Sequence, residues 1–304
     1  MAYFTKDNAQ LHYIDSLSTH PEKPYKETII TTHGMSESHL YWSLSGITES
    51  LINAGYRVIN TDMRGHGFSE VSGENKGYDI NTLVNDIEAM ANHLELDKFH
   101  LLTHATGGIV GFRYAMEHSD RLLSLLSTNT GSATYPSSEY AELTDPNANI
   151  PPLSEIDLKR NSNLARTFKG QRKGDMAEFV RQSAAKNPFL SGMSKLENSE
   201  TAFALYTACS FVGNPENIAD FVDAFYTSYD PCIKGLRQIQ CPTLMLVGEY
   251  DILFIKPAQL VAREVPNCEH VTMQGIGHMT AFEAPEQLTK ILLGFLQKNS
   301  ATAA

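Results

Sequence analysis

Over the first 130 residues, short apolar runs alternate with longer amphipathic ones. ETIITTH (Glu27 to His33), YRVINTD (Tyr56 to Asp62), FHLLTH (Phe99 to His104) and LLSLLST (Leu122 to Thr128) are short and rich in leucine or β-branched residues, which predicts buried strands. Between them the period lengthens. In INTLVNDIEAMANHLEL the apolar residues Leu83, Val84, Ile87, Met90, Ala91 and Leu94 fall on one helical face, with Asp79 or Asn81 to cap its start. TGGIVGFRYAMEHSD is a second helical pattern, directly behind FHLLTH. Gly55 suits the end of the helix before YRVINTD.

The alternation stops near Gly131 and resumes near Cys241. PTLMLVGEYD and EHVTMQG then read as buried strands around the helical KPAQLVAREVP, and PEQLTKILLGFLQKN closes as a helix with Pro285 in its first turn. Strands separated by helices predict an α/β fold, a mostly parallel, doubly wound sheet covered on both faces. The expected domains are a core from 1–130 and 241–304, and a helical insertion over 131–240 that covers one end of the sheet.

Composition narrows the picture. The chain has 304 residues, 42% of them hydrophobic, enough for one large core with an inserted subdomain. No apolar run reaches membrane-spanning length, and MAYFTKDNAQ lacks the pattern of a secretory signal, so no membrane partner is expected. Four cysteines without CxxC spacing favour reduced thiols and a cytoplasmic location. A formal net charge of −11 argues against nucleic acid. The expected partner is a small-molecule substrate, with a homodimer left open. Eight basic residues between Lys159 and Lys186 face only Asp175 and Glu178 as local acids, which suits a solvated face or a carboxylate clamp.

Four stretches carry chemistry. THGMSES follows a strand and brings backbone amides close to a substrate oxygen, with the Met35 N–H as one donor of an oxyanion hole and His33 and Gly34 beside the pocket. DMRGHGFSE reads as a structural loop at the sheet's carboxyl end. LTHATGG is a strand, a tight small-residue turn and a helix start, the mount of a serine nucleophile, with His104 before the tip and Thr106 supplying the second oxyanion N–H. Its tip holds Ala105, and Thr103 stands where glycine is usual. GEYD and GIGH place Asp251 and His278 behind successive strands, 27 residues apart. An acid that orients a histidine, which deprotonates a hydroxyl, is the relay of serine acyl transfer.

With HGM, DMRGHGFS, HATGG, GEYD and GIGH in this order, the chain resembles the α/β-hydrolase superfamily, in its capped esterase, lactonase and carbon–carbon-bond hydrolase branch. The resemblance covers nearly everything outside the insertion, which falls where that branch places its cap. It implies a nucleophile position at Ala105, with Asp251 and His278 completing the relay, and no metal or organic cofactor. Three readings of Ala105 stay open: an engineered serine-to-alanine change, a natural non-hydrolytic binder, or a nucleophile moved to Thr106, Thr103 or Ser36. An aspartate nucleophile usually has Trp next to it, and Thr106 argues against that. Among the aromatics of the insertion (Phe189, Phe203, Tyr206, Phe211, Phe221, Phe225 and Tyr226), most are expected in its core and one or two in the pocket.

Overall fold

A computed structural model describes residues 2–22, 25–132, 189–226 and 233–300, together with Glu178, Gln182 and Asn187. Among the described residues, nine strands form one sheet: β1 (Ala2–Lys6), β2 (Ala9–Asp15), β3 (Thr28–Thr32), β4 (Arg57–Thr61), β5 (Glu70–Val71), β6 (Phe99–His104), β7 (Leu122–Thr128), β8 (Thr243–Gly248) and β9 (Cys268–Met273). Their order is β1-β2-β4-β3-β6-β7-β8-β9, with β5 paired to β2. β2 pairs antiparallel with β1, β4 and β5, while every pairing from β4 to β9 is parallel. The sheet is therefore mostly parallel, as the alternating pattern predicts.

Adjacent strand residues supply the two faces of the core. Ile29, Leu102, Leu126 and Leu244 pack with the helices Ile47–Asn53 and Pro285–Lys298, through Leu51, Leu292 and their neighbours. Ile30, Leu101, Leu125 and Met245 pack on the other face with Ile80–His93, Thr106–Glu117 and Ile255–Glu264, through Leu83, Phe112 and Val261. Asp79 caps the first of these helices, accepting the Thr82 N–H at 2.9 Å.

β9 departs from the expected buried strand. It lies at the sheet's edge, and all but one of its six residues keep some exposure because no further strand covers them. β1 and β2 had no counterpart in the apolar pattern. The buried His12 and the hydrogen-bonding Tyr13 break the run in AQLHYID.

The parallel register puts Thr32 beside Thr103, and Thr103 beside Ser127, so β3, β6 and β7 end side by side. The chain crosses from β3 outward to β4 and then back to β6, which opens a crevice at the carboxyl edge between the β3 and β6 loops. Between β7 and β8 the described residues hold the helices Ser199–Cys209, Pro215–Phe225 and Ile233–Leu236, a 3-10 turn at Met193–Lys195, and no strand. Asn214 caps the second helix and Pro215 starts it. The basic run from Lys159 to Lys186 falls outside the described residues except for Glu178 and Gln182 within it. Among the described residues, no helix is long and apolar enough to cross a membrane.

Candidate active site

Ala105 occupies the sharp turn between β6 and the following helix, with φ 46° and ψ −116°. A non-glycine residue in that region costs on the order of 1–3 kcal/mol and persists only where its surroundings hold it. Four hydrogen bonds do so here. The Ala105 N–H donates to Thr128 O at 3.1 Å. Its carbonyl accepts from Gly108 N at 2.9 Å, Ile109 N at 3.3 Å and Thr130 Oγ1 at 2.6 Å.

The glycines behind the turn are required by contact. A Cβ on Gly107 would lie 2.4 Å from Thr32 Oγ1, and one on Gly108 would lie 2.4 Å from Thr130 Cγ2. Thr103 is accommodated one helical turn further on, where a Cβ on Gly111 would meet its Cγ2 at 2.8 Å. The missing Cβ of Gly111 makes the room that a glycine at 103 would have made.

Asp251 and His278 form a buried pair. Asp251 is 1% and His278 2% exposed, and His278 Nδ1 lies 2.7 Å from Asp251 Oδ2. Asn129, at the end of β7, donates to the same oxygen at 2.9 Å and to Gly277 O at 3.2 Å. Leu253 N and Phe254 N each reach Asp251 Oδ1 at 3.2 Å. Burial pushes the Asp251 carboxyl up, but His278, Asn129 and the Phe254 amide outweigh it and hold the carboxyl below its ordinary value. An ionised carboxylate only accepts, so His278 Nδ1 carries the proton and Nε2 is the basic nitrogen. The ring is held by Phe254, stacked at 5.4 Å, and by Phe189 edge-on at 4.7 Å. Glu283 ties down the loop on either side of it, accepting Gly277 N at 2.6 Å and Met279 N at 3.1 Å.

The histidines expected beside the pocket stand behind it. His33 and His104 have no exposed surface. His33 Nδ1–H donates to Gly34 O at 2.8 Å and its Nε2 accepts Met63 N at 3.1 Å, so the ring clamps the Gly34 turn to the loop after β4. Burial lowers its pKa to about 4, so it stays neutral. His104 stacks on Tyr41 at 4.4 Å. Both rings brace the loops that carry the turn. Thr103 and Thr106 are also engaged elsewhere. Thr103 Oγ1 donates to Ser127 Oγ at 2.9 Å, while Thr106 Oγ1 accepts Met35 N at 3.1 Å and bonds Tyr226 OH. The Met35 amide, expected open, is thus taken by the threonine hydroxyl.

Glu37 is the residue that sequence reasoning missed. It sits in the polar run SESH, which reads as solvated, yet it is 2% exposed. Its Oε2 accepts the Gly34 N–H at 2.7 Å. A Cβ on Gly34 would lie 2.8 Å from that oxygen and 3.1 Å from the Ala105 methyl, so carboxyl and methyl flank the same glycine. Burial pushes Glu37 up to about 8, against the Gly34 N–H that lowers it. The neighbouring imidazole agrees with a protonated acid. Thr128 Oγ1 donates to Thr103 O at 3.2 Å, so His104 Nδ1–H must donate to Thr128 at 3.0 Å. That leaves His104 Nε2 as a bare acceptor 3.8 Å from Glu37 Oε1, with no hydrogen-bond partner among the described residues.

One buried cluster has the donor set of a metal site. His12, His39 and Asp62 lie with their donor atoms within 4.8 Å of one another. Asp62 already accepts His39 N at 2.6 Å and Phe68 N at 2.9 Å, besides His12 Nδ1 at 2.7 Å and His39 Nδ1 at 2.9 Å. Burial opposes ionisation, but the two imidazoles hold the acid well below its ordinary range. A cation would have to displace those protons, so the cluster is a hydrogen-bond hub that fixes the DMRGHGFSE loop.

A strained turn at 105 and a buried Asp–His pair, whose imidazole lies 5.0 Å from the ring of His104, stand at the carboxyl edge of a mostly parallel sheet. A family model described as the alpha/beta hydrolase fold matches residues 27–285. The chain belongs to the α/β-hydrolase family. The non-heme chloroperoxidase CPO-A1 of Kitasatospora aureofaciens is 27% identical over 97% of this chain and 98% of its own length. Bifunctional epoxide hydrolase 2 of Sus scrofa is 23% identical over 97% of this α/β-hydrolase, which spans 54% of that longer protein. The enol-lactonase of Burkholderia xenovorans LB400 has the same fold, with a TM-score of 0.73 at 19% identity over 97% of this chain and all of its own.

Proposed function

We propose that the pocket binds an ester or lactone of a small, apolar molecule, and that it lacks only the attacking oxygen of a serine-type acyl-transfer site. The observation that carries this reading is the strained backbone at Ala105 beside an intact Asp251–His278 pair. A methyl gains nothing from an elbow held in strain by four hydrogen bonds, whereas a serine there would present its hydroxyl to His278.

In the serine form, His278 Nε2 takes the hydroxyl proton as the oxygen attacks the carbonyl carbon, and Asp251 stabilises the imidazolium. The oxyanion that forms is received by the Met35 and Thr106 amides. His278 returns the proton to the leaving alcohol, and water repeats the sequence to release the acid. The insertion over 131–240 serves as the cap that buries the ligand. In the Ala105 chain, ground-state binding survives, because the hydroxyl contributes mainly to the transition state. Cleavage of a carbon–carbon bond in a β-diketone would use the same groups.

The test is Ala105→Ser assayed on short-acyl p-nitrophenyl esters and a lactone panel. A nucleophile and base acting as a unit contribute about a million-fold in turnover, so the gain should stand far above background. No turnover on any member of the panel would favour a non-hydrolytic binder on the same fold.

A further inference from the structure

The hydroxyl that takes the Met35 amide, and the phenol bonded to that hydroxyl, belong to neither half of the relay. Thr106 Oγ1 accepts the Met35 N–H at 3.1 Å and is itself bonded to the Tyr226 hydroxyl. Tyr226 follows the helix Pro215–Phe225, on the segment between β7 and β8, while Thr106 is the first residue of the helix behind the elbow. Thr106 Oγ1 thus sits between a backbone N–H and a phenol hydroxyl, one residue from the nucleophile position. That is the environment an oxyanion needs, filled here by the protein's own hydroxyl.

We propose that Thr106 Oγ1 holds the place of the ligand's carbonyl oxygen, and that Tyr226 is a further hydrogen-bond donor to that oxygen once the threonine hydroxyl turns away. Rotation about χ1 moves a threonine hydroxyl between staggered wells without disturbing the backbone, so the helix start that carries the Thr106 N–H stays in place. The displaced hydroxyl gives up its bonds to Met35 and Tyr226, and the incoming oxygen replaces both.

The surroundings suit an oxygen that gains negative charge. Burial holds the Tyr226 phenol protonated far above its ordinary range, so at pH 7 it keeps an O–H to donate. The carboxyl whose charge reaches Tyr226 is Glu37, and burial pushes that acid up to about 8, so it is mostly neutral at pH 7 and does not oppose the oxyanion. Tyr226 would also make ligand recognition depend on the seating of the insertion, since the donor comes from that segment and the amides come from the core.

The proposal rests on position 105 as the acyl-transfer position, and two experiments separate the claims. The first uses the Ala105 chain and butyrate, the acid that a butyryl ester would leave. In a ¹⁵N–¹H titration the Met35 and Thr106 amides should move together, and Tyr226→Phe should weaken butyrate at least tenfold. Thr106→Val, which removes the competing hydroxyl and keeps the shape, should bind butyrate at least as tightly as the parent. The second is kinetic, in the Ala105→Ser background. Tyr226→Phe should lower kcat by about 10- to 1000-fold, the cost of losing one oxyanion donor, with KM changed less than threefold. Thr106→Val, which removes the competing hydroxyl, should lower KM. If Ala105→Ser is inactive while the butyrate shifts appear, the acyl-transfer reading fails and the oxygen site stands. If the Met35 amide does not respond to butyrate, or Tyr226→Phe leaves both binding and kcat within twofold, the proposal is overturned. A Thr106→Val variant that loses as much as Tyr226→Phe also overturns it, since the hydroxyl would then be a required donor.

Discussion

Replacing Glu37 by glutamine should stabilise the protein, and by an amount that grows with pH. The Glu37 carboxyl titrates at about 8 in the folded chain against an ordinary value of 4.5. Below pH 4.5 both folded and unfolded states are protonated, and the residue costs nothing. Between 4.5 and about 8 the unfolded chain releases the proton while the folded chain keeps it. Stability is therefore lost as pH rises through this window, at about 1.4 kcal/mol per pH unit, and is level above it. Over the whole window the loss is on the order of 4–5 kcal/mol, a large share of the roughly 5–15 kcal/mol that holds a typical domain together. Glutamine keeps the shape. Its carbonyl can accept the Gly34 N–H, and its amide would face the bare His104 Nε2, which lies 3.8 Å from Glu37 Oε1. Denaturant unfolding of both proteins at pH 5, 6, 7, 8 and 9 checks this. Every other titrating group is common to the two chains, so their difference isolates position 37. The difference should be small at pH 5, climb through pH 7 and flatten above pH 8. A difference that is flat from pH 5 to 8 would mean that Glu37 is ionised in the folded protein, and the proton assignment between it and His104 would be wrong.

Two further outcomes follow from the site's geometry. Asp251→Asn in the Ala105→Ser background should lower kcat by about 10⁴-fold with little change in ligand affinity, because an amide that donates to His278 Nδ1 puts the ring's proton on the wrong nitrogen; steady-state kinetics reads it. Gly107→Ala should destabilise the protein by about 1–3 kcal/mol, since the new methyl would meet Thr32 Oγ1 at 2.4 Å and His33 O at 2.7 Å; thermal or denaturant unfolding reads that.

The parallel strands were legible because both their faces are buried. FHLLTH and LLSLLST are strands over the same residues that the apolar runs span, with nearly every position inaccessible. β9 was legible as a strand but not as an edge, since edge position depends on what the rest of the chain leaves uncovered. β1 and β2 were not read at all, because the His12 that interrupts their pattern is buried by its bond to Asp62, 50 residues away. The same limit governs the site. Asp251 and His278 could be placed by motif order, since each follows its strand directly. Glu37 could not, because a glutamate between two serines reads as solvated until the Gly34 turn and the helix Ser199–Cys209 close over it. The only sequence signal was its position within the HGMSES turn. The capture of the Met35 amide by Thr106 depends on a side-chain rotamer and on Tyr226, 120 residues later, and no local pattern encodes either.

Phosphonylation tests most directly whether the site is one oxygen short of a serine hydrolase. An alkyl fluorophosphonate reacts with a serine only when a base activates it and an oxyanion site receives the P–O oxygen. Intact-mass and peptide spectra after treatment should show one adduct per chain in Ala105→Ser, confined to position 105, and none in the Ala105 chain or in Ala105→Ser/His278→Ala. An Ala105→Ser protein that folds and stays unmodified, or one labelled equally without His278, would contradict the assignment of the relay.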